Sequence, residues 1–336
     1  MMIYFKRILS ILVVVVVIST VFYLYLPQKQ GIIETMNVTV GEDRVDVLCV
    51  GSSHMYCGIN PVQLYREYGI AAYDMAVGSQ APWQSYYYIK EVCKTQHPKM
   101  IIFDTYMVGS VQDVEEHYQD YQTVANILNT SFSKNKIEAV MASKADSKVN
   151  ILLRFPYTYD EIDGYTGFSL QKLYGVEDYS MGYSYRDEIE AYEDVVDVKG
   201  VKDSRTLHAK NERYLRRIIE YCLEQDIELI LTNAPWPCIT EEIQLYFNEI
   251  GEIADEYGIT FINGCVYHEE MGIDYMTDSY GDGGHLNYSG VTKYTKWIGN
   301  YLNDKYALPD RRHDSNYEAY EKGGEWLDEK VATSGI

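Results

Sequence analysis

The sequence predicts a doubly wound α/β fold built on a parallel five-stranded sheet. Short apolar runs alternate along the chain with amphipathic stretches of helical length. The apolar runs are nearly continuous, as expected for strands that are buried on both faces of a parallel sheet. Right-handed crossovers between such strands place the connecting helices on both faces of the sheet.

The elements follow one another in a regular order. Strands are predicted at residues 46–51, 70–77, 99–104, 227–235 and 259–263. Helices are predicted at residues 59–69, 82–96, 241–258 and 288–306, with a further one after Arg205 whose apolar face includes Leu215, Ile218, Ile219, Cys222 and Leu223. Pro82 suits the first turn of a helix, Thr240 can cap one, and Gly69 and Gly258 can end one.

The N-terminus predicts a membrane anchor over residues 1–27. Lys6 and Arg7 precede an uncharged apolar run from Ile8 to Leu26, which is about the length that spans a bilayer as a helix. A cleaved signal peptide would end in a small-residue cleavage site, whereas this run ends in bulky aromatic residues. We therefore expect a single-pass protein of the cell membrane, with its N-terminus in the cytoplasm and its remaining domain outside.

The chain after the anchor divides into three predicted parts, and the middle one contains an insertion. Residues 28–44 are polar and are interpreted as a linker, and residues 45–307 form the α/β domain. The alternation of strands and helices breaks at 105–204, which is interpreted as an insertion that caps a site. Residues 308–336 are predicted to be a polar, peripheral tail. The tyrosine-rich stretch 157–192 could be a surface on which sugar rings stack. Alternatively, it only reflects the high tyrosine content of the whole chain, which has 34 tyrosines.

Charge and cysteine content exclude some functions. A net charge of −21 argues against nucleic-acid binding, although an acidic surface also serves solubility. The six cysteines show neither a CxxC pair nor a zinc pattern, and Cys49 and Cys222 are interpreted as buried hydrophobic residues. No cofactor or metal site is predicted. Disulfides stay open, because an exported chain can form them.

Three predicted strands end in small or polar residues. The residues at these three strand ends are Gly51-Ser52-Ser53, Gly78-Ser79 and Asp104-Thr105. Since sites in such sheets form beyond the carboxyl ends of the strands, these residues are expected to lie together.

A serine nucleophile at such a strand end needs a base and a group that orients the base. The glycine-rich stretch "DSYGDGGHLNYSG" supplies His285, which precedes the last helix of the domain, and Asp282 three residues earlier. His54 directly follows Ser53, and adjacent side chains on a strand-to-helix turn usually point apart. His285 is therefore the predicted base, and Asp282 the predicted orienting group.

These segments resemble the SGNH hydrolase superfamily, also called the GDSL esterases and lipases. The resemblance identifies Ser53 as the nucleophile, Asp282 and His285 as its partners, and Gly78 or Ser79 as a backbone donor to the oxyanion. The family's third block normally supplies an asparagine to the oxyanion hole. Here the third strand continues as "FDTYM", so the asparagine is absent, and Thr105 near that place is predicted to be an oxyanion or substrate-binding residue.

The resemblance also implies a fold and a setting. It implies a flavodoxin-like sheet and a membrane-anchored, extracytoplasmic branch similar to the D-alanyl transfer protein of teichoic-acid modification and to exopolysaccharide O-acetylation proteins. The implied activity is that of an esterase or O-acyltransferase. The implied partners are an envelope polysaccharide or teichoic acid and a multi-spanning membrane acyltransferase.

Two other interpretations remain open at this stage. The chain could be a non-catalytic SGNH-like protein that binds a glycan or docks on a membrane acyltransferase, as the missing asparagine favours. It could also be an unrelated exported α/β protein, such as a phosphatase with a metal held by Asp278, Asp282 and His285. Trp83 and Trp236 follow strand ends and either line the site or only pack.

Overall fold

The computed structural model describes residues 2–25, 32–109, 133–143, 148 and 176–334. Within these residues the predicted strands form one parallel five-stranded sheet. Numbered along the chain, β1 is Val47–Val50, β2 Ala72–Asp74, β3 Met100–Asp104, β4 Glu228–Asn233 and β5 Thr260–Asn263, and their order in the sheet is β2-β1-β3-β4-β5. The first strand along the chain, β1, lies inside the sheet. Strand β2 pairs with one side of it, and β3, β4 and β5 follow in turn on the other side. This is the flavodoxin-like order, in which a site forms where the winding changes direction. The predicted fold class is confirmed in its α/β sheet.

The strands lie within the predicted apolar runs. Every residue of β1, β2 and β3 is buried, which is why these runs show no alternation between apolar and polar positions. In the register, Cys49 of β1 lies opposite Asp74 on one side and Ile102 on the other.

The helices of the described residues agree with the predicted alternation and add several elements. Their bounds are α1 Met2–Tyr25, α2 Ile32–Val40, α3 Ser53–Tyr56, α4 Pro61–Tyr68, α5 Pro82–Val92, α6 Lys134–Ala142, α7 Ala209–Glu224, α8 Glu241–Tyr257, α9 Gly264–Tyr267, α10 Tyr288–Lys305 and α11 Glu318–Ser334. Thr240 caps α8 through its side chain, and Gly69 and Gly258 end their helices in the left-handed conformation, as predicted. Helix α5 packs against α6 and α7, and α4 packs against α10 and α11.

Two segments differ from the sequence prediction. The linker predicted over 28–44 contains α2, whose Met36 is completely buried. The polar tail predicted over 308–336 contains α11, in which Tyr320 is completely buried and stacks on Tyr65 with ring centroids 5.1 Å apart. Each segment buries only a few side chains among many polar ones. The average composition of the segment therefore does not predict that one of its faces packs against the domain.

An ion pair also holds the C-terminal segment to the domain. The Arg311 guanidinium donates to both carboxylate oxygens of Asp46, at 2.7 and 2.8 Å. Asp46 lies directly before β1 and is buried. The segment after residue 307 therefore packs against the domain and is not peripheral.

The predicted anchor and insertion are described only in part. No helix among the described residues has the length and apolar character needed to cross a membrane. The transmembrane anchor predicted over 1–27 is thus not confirmed. Of the tyrosine-rich stretch, 157–175 lies outside the described residues, whereas 176–192 follows an irregular path along the domain.

Candidate active site

The end of β1 lies unusually close to the end of β3. A Cβ atom added to Gly51 would lie 2.4 Å from the Cβ of Asp104, a distance that real side chains do not adopt. Gly51 is not among the glycines with positive φ. Glycine is therefore required here for the close approach of two strand ends, and not for a left-handed turn.

Asp104 fixes the first serine after that glycine. Its Oδ2 accepts from the Ser52 backbone N–H at 3.1 Å and from the Ser52 hydroxyl at 2.8 Å, while its Oδ1 accepts from the N–H of Tyr106. Burial raises the pKa of Asp104 to about 6, against the opposing effect of these hydrogen bonds. Ser52 is thereby occupied as a buried anchor and cap of α3, and Ser53 follows as the first, partly exposed residue of that helix.

Three predicted residues form one hydrogen-bonded chain. The Nε2 atom of His285 lies 2.8 Å from the Oγ of Ser53, and its Nδ1 atom lies 2.6 Å from the Oδ1 of Asp282. A neutral imidazole that donates from Nδ1 to the carboxylate can accept the serine proton at Nε2. The structure thus brings Ser53, His285 and Asp282 together across 232 residues of sequence.

The loop that carries His285 is held at both ends. The N–H of Tyr280 donates to the carbonyl oxygen of His285 at 2.7 Å, which closes the loop on itself. Within it, Gly283 and Gly284 both have positive φ, at 101° and 92°. A Cβ on Gly284 would lie 3.2 Å from the Sγ of Cys238, so this loop packs directly against that thiol.

Asp278 belongs to the support of this loop. Its carboxylate is buried and accepts from the Lys293 ammonium at 2.6 Å and from the Ser289 hydroxyl at 2.7 Å. It therefore does not join Asp282 and His285 as the metal interpretation requires. No group of three or more metal-ligating side chains is found among the described residues.

His54 lies in the site but not as a base for Ser53. Its ring stacks on Tyr106 with centroids 3.6 Å apart, meets Trp236 edge-on at 5.6 Å, and lies 4.6 Å from the ring of His285. Burial, together with the charge of His285, lowers the pKa of His54 well below its ordinary value, so its ring is neutral. The prediction that His54 is a poor base agrees with this position, whereas its aromatic contacts have no sequence signal.

The two tryptophans differ. Trp236 donates from its indole N–H to the carbonyl oxygen of Gly283 at 2.8 Å and so lines the site. Trp83 is buried within α5, where the Lys210 ammonium lies 4.8 Å from its ring centroid. Trp83 is a packing residue.

The predicted oxyanion and substrate residues fall into two groups. Gly78 and Ser79 form a turn after β2, with Ser79 at a φ of 56°, and the preceding Val77 donates its N–H to the carbonyl oxygen of Gly51. This turn therefore lies beside the nucleophile turn. Thr105 differs from the prediction, because it is completely buried and both its N–H and its hydroxyl donate to the carbonyl oxygen of Thr232. Thr105 belongs to the pairing of β3 with β4.

Arg186 is a member of the site that the sequence did not reveal. Its guanidinium forms an ion pair with the Oδ2 of Asp282 and lies 4.8 Å from the ring centroid of Tyr280. Partial burial raises the pKa of Asp282, but His285 and Arg186 outweigh it and hold that pKa below its ordinary value. Arg186 lies 96 residues before its partner, inside the predicted insertion, where no motif marks it.

Comparisons with known proteins find similarity at the level of structure only. No protein-family model matches the chain, and no curated protein matches it. An acylhydrolase of provisional assignment from Bacteroides fragilis NCTC 9343 is similar over 77% of this chain and 86% of its own, with 11% identity and a TM-score of 0.38. A GDSL-like lipase from Bacteroides thetaiotaomicron VPI-5482 is similar over 77% and 87%, with 12% identity and a TM-score of 0.38. At this level of similarity neither structure bears on the activity of this protein.

Proposed function

We propose that this protein is a serine esterase or O-acyltransferase of the SGNH type. Ser53 is the nucleophile, His285 the general base and Asp282 the group that orients it. The observation that carries this proposal is the hydrogen-bonded chain from the Ser53 hydroxyl through both ring nitrogens of His285 to Asp282. A serine with this pair of partners is the arrangement that acyl transfer uses on several unrelated folds.

The proposed reaction runs in two steps. The Oγ of Ser53 attacks the carbonyl carbon of an ester while the Nε2 of His285 takes the hydroxyl proton, and Asp282 stabilises the resulting imidazolium. The imidazolium then gives its proton to the departing alcohol, which leaves an acyl group on Ser53. In the second step water or a sugar hydroxyl loses its proton to His285 and attacks the acyl carbon. The bond from that carbon to the Oγ of Ser53 then breaks, and the Oγ takes the proton back from His285 as the free acid or the new ester leaves. The N–H groups of Ser53 and of Gly78 or Ser79 are the proposed donors to the oxyanion.

The proposed substrate is an ester of a bacterial cell-envelope polysaccharide or teichoic acid. The support is the resemblance of the Gly51-Ser52-Ser53 and Asp282-to-His285 segments to envelope SGNH proteins. The proposed location is the outer face of the cell membrane, and the proposed partner is a multi-spanning O-acyltransferase. Lys6 and Arg7 before the apolar run support this location. Protease added to intact cells should remove the domain, and a protected domain would contradict the location.

A fluorophosphonate probe tests the nucleophile. The wild-type protein should be labelled, and Ser53→Ala should abolish labelling, because the Ser53 hydroxyl is hydrogen-bonded to the Nε2 of His285. Ser52→Ala is the matched control, since its hydroxyl is bound to Asp104 and should not react. Hydrolysis of a generic acetyl ester should follow the same pattern. Labelling that survives Ser53→Ala and disappears in Ser52→Ala would reject the assignment.

A second candidate is a non-catalytic glycan-binding protein on the same scaffold. The observation that favours it is the end of β3, where the oxyanion asparagine is absent and the Thr105 hydroxyl is bound to Thr232. Loss of one oxyanion donor costs roughly 10²- to 10³-fold in rate. Saturable binding of an O-acetylated polysaccharide, measured by calorimetry on wild-type protein that neither labels nor hydrolyses esters, would favour this function.

A further inference from the structure

Residues 184–190 cross the candidate site and bind both of its halves; we call them the clasp segment. The N–H of Ser184 donates to the carbonyl oxygen of Tyr56 at 2.9 Å, which ties the segment to the nucleophile helix α3. The N–H of Tyr288 donates to the carbonyl oxygen of Arg186 at 2.6 Å, which ties it to the start of α10. The backbone of Arg186 is therefore fixed relative to Ser53 and to the loop that carries His285.

The side chain of Arg186 completes the contacts of Asp282. One carboxylate oxygen of Asp282 contacts the Nδ1 of His285, and the other forms the ion pair with Arg186. The guanidinium also lies over the ring of Tyr280, two residues before Asp282. Its side chain is 20% exposed, whereas that of Asp282 is 35% exposed.

Asp282 needs this second partner because of where it lies. It precedes two consecutive glycines with positive φ, and a third of its side chain is open to water. A carboxylate on such a loop can rotate and exchange its imidazole partner for water. A cation that holds the second oxygen fixes the plane of the carboxylate, and with it the orientation of the His285 ring.

We propose that Arg186 is a positioning residue: it holds Asp282 so that His285 faces Ser53. This inference rests on the proposed function, since it concerns the same site. It gives the clasp segment, which lies within the predicted insertion, a part in assembling the site.

The charges around His285 allow this role to be separated from a merely structural one. His285 faces Ser53, Asp282 and the neutral His54, and Asp282 faces Arg186. When the arginine is removed, the negative charge of Asp282 acts on the imidazole without compensation. This favours the protonated ring, which cannot accept the serine proton, so more alkaline solution is needed for activity.

The test compares Arg186→Gln and Arg186→Lys with the control Arg205→Gln. Arg205 pairs with Glu242 and lies 5.6 Å from the ring centroid of Tyr246, so it has the same two kinds of contact away from the site. With p-nitrophenyl acetate, Arg186→Gln should lower kcat about tenfold to a hundredfold and move the acid limb of the pH profile upward, with little change in KM. Arg186→Lys should restore the acid limb and part of the rate. Arg205→Gln should change neither.

A second measurement does not require turnover. The Nδ1 proton of His285, observed by NMR, should be protected from exchange in the wild-type protein and in Arg205→Gln, and should weaken or disappear in Arg186→Gln. An unchanged signal and an unchanged acid limb in well-folded Arg186→Gln would overturn the positioning role. Absence of both turnover and fluorophosphonate labelling in the wild-type protein would instead count against the proposed function, and the NMR comparison would still decide the role of Arg186.

Discussion

Replacing Asp104 by asparagine tests how the nucleophile turn is held. Asp104 is 2% exposed and accepts three hydrogen bonds, two from Ser52 and one from Tyr106. An amide of the same shape has only one acceptor oxygen. If that oxygen faces Ser52, the amide nitrogen faces the N–H of Tyr106, and two donors oppose each other. One buried unsatisfied donor costs about 1–3 kcal/mol.

The substitution also removes a buried charge, and the two effects oppose each other. Burial raises the pKa of Asp104 from 3.8 to about 6, so ionisation of this group costs the folded state about 3 kcal/mol at neutral pH. Between about pH 4 and pH 6 the folded protein binds a proton that the unfolded chain does not. The contribution of Asp104 to stability is therefore fully present below pH 4 and is lost as the pH rises through 6.

Near pH 7.5 we expect the two effects to offset each other, so that Asp104→Asn lies within about 2 kcal/mol of wild type. As the pH falls to 5, Asp104 of the folded wild-type protein takes up a proton, which stabilises the folded state. The variant has no such group at this position. The difference in unfolding free energy should then shift by about 1–2 kcal/mol in favour of wild type. Urea denaturation followed by tryptophan fluorescence at both pH values measures it. A difference that stays constant with pH would refute the reasoning.

Three further predictions concern packing and the site. Gly51→Ala should lower the unfolding free energy by about 1–3 kcal/mol or more and abolish labelling, because the new Cβ overlaps Asp104; intact stability in thermal melts would contradict the close approach. His285→Ala should reduce kcat by at least about a thousandfold and Asp282→Ala by less, and the double variant should be no worse than His285→Ala alone; rates that follow only the folded fraction would make the loop structural. Tyr320→Ala should lower the free energy of unfolding by about 3–5 kcal/mol and Tyr320→Phe by about 1 kcal/mol, as measured by urea denaturation. No measurable loss in the alanine variant would mean that the last helix is peripheral after all.

The fold was predictable because its strands are buried on both faces. Val47–Val50 and Met100–Asp104 read as strands because nearly every position is apolar. The meeting of Ser53 with His285 was also predictable, since both lie beyond carboxyl ends of parallel strands. Local order along the chain and the geometry of the sheet were sufficient for these two results.

The remaining contacts could not be predicted from local sequence, because each depends on residues far away in the chain. The ion pair between Arg186 and Asp282 joins residues that are 96 positions apart in the sequence. Arg186 lies in a segment without regular secondary structure, so no periodicity places its side chain. Thr105 stands at a strand end like Ser53, but which way its hydroxyl turns depends on the neighbouring strand and its Thr232 carbonyl. Tyr320 is one buried aromatic residue in a polar helix, so only the surface it packs on reveals its role.

The thiol of Cys238 beside Gly284 affects how inhibitor experiments on this protein should be read. Any reagent that alkylates this half-buried cysteine places new atoms against the loop that carries His285. Burial raises the pKa of that thiol, so the reaction should be slow near neutral pH and faster in alkaline solution. Loss of activity after iodoacetamide would therefore report a displaced loop and would not identify a cysteine nucleophile. Cys238→Ser protein, treated in parallel, would keep its activity and separate the two explanations.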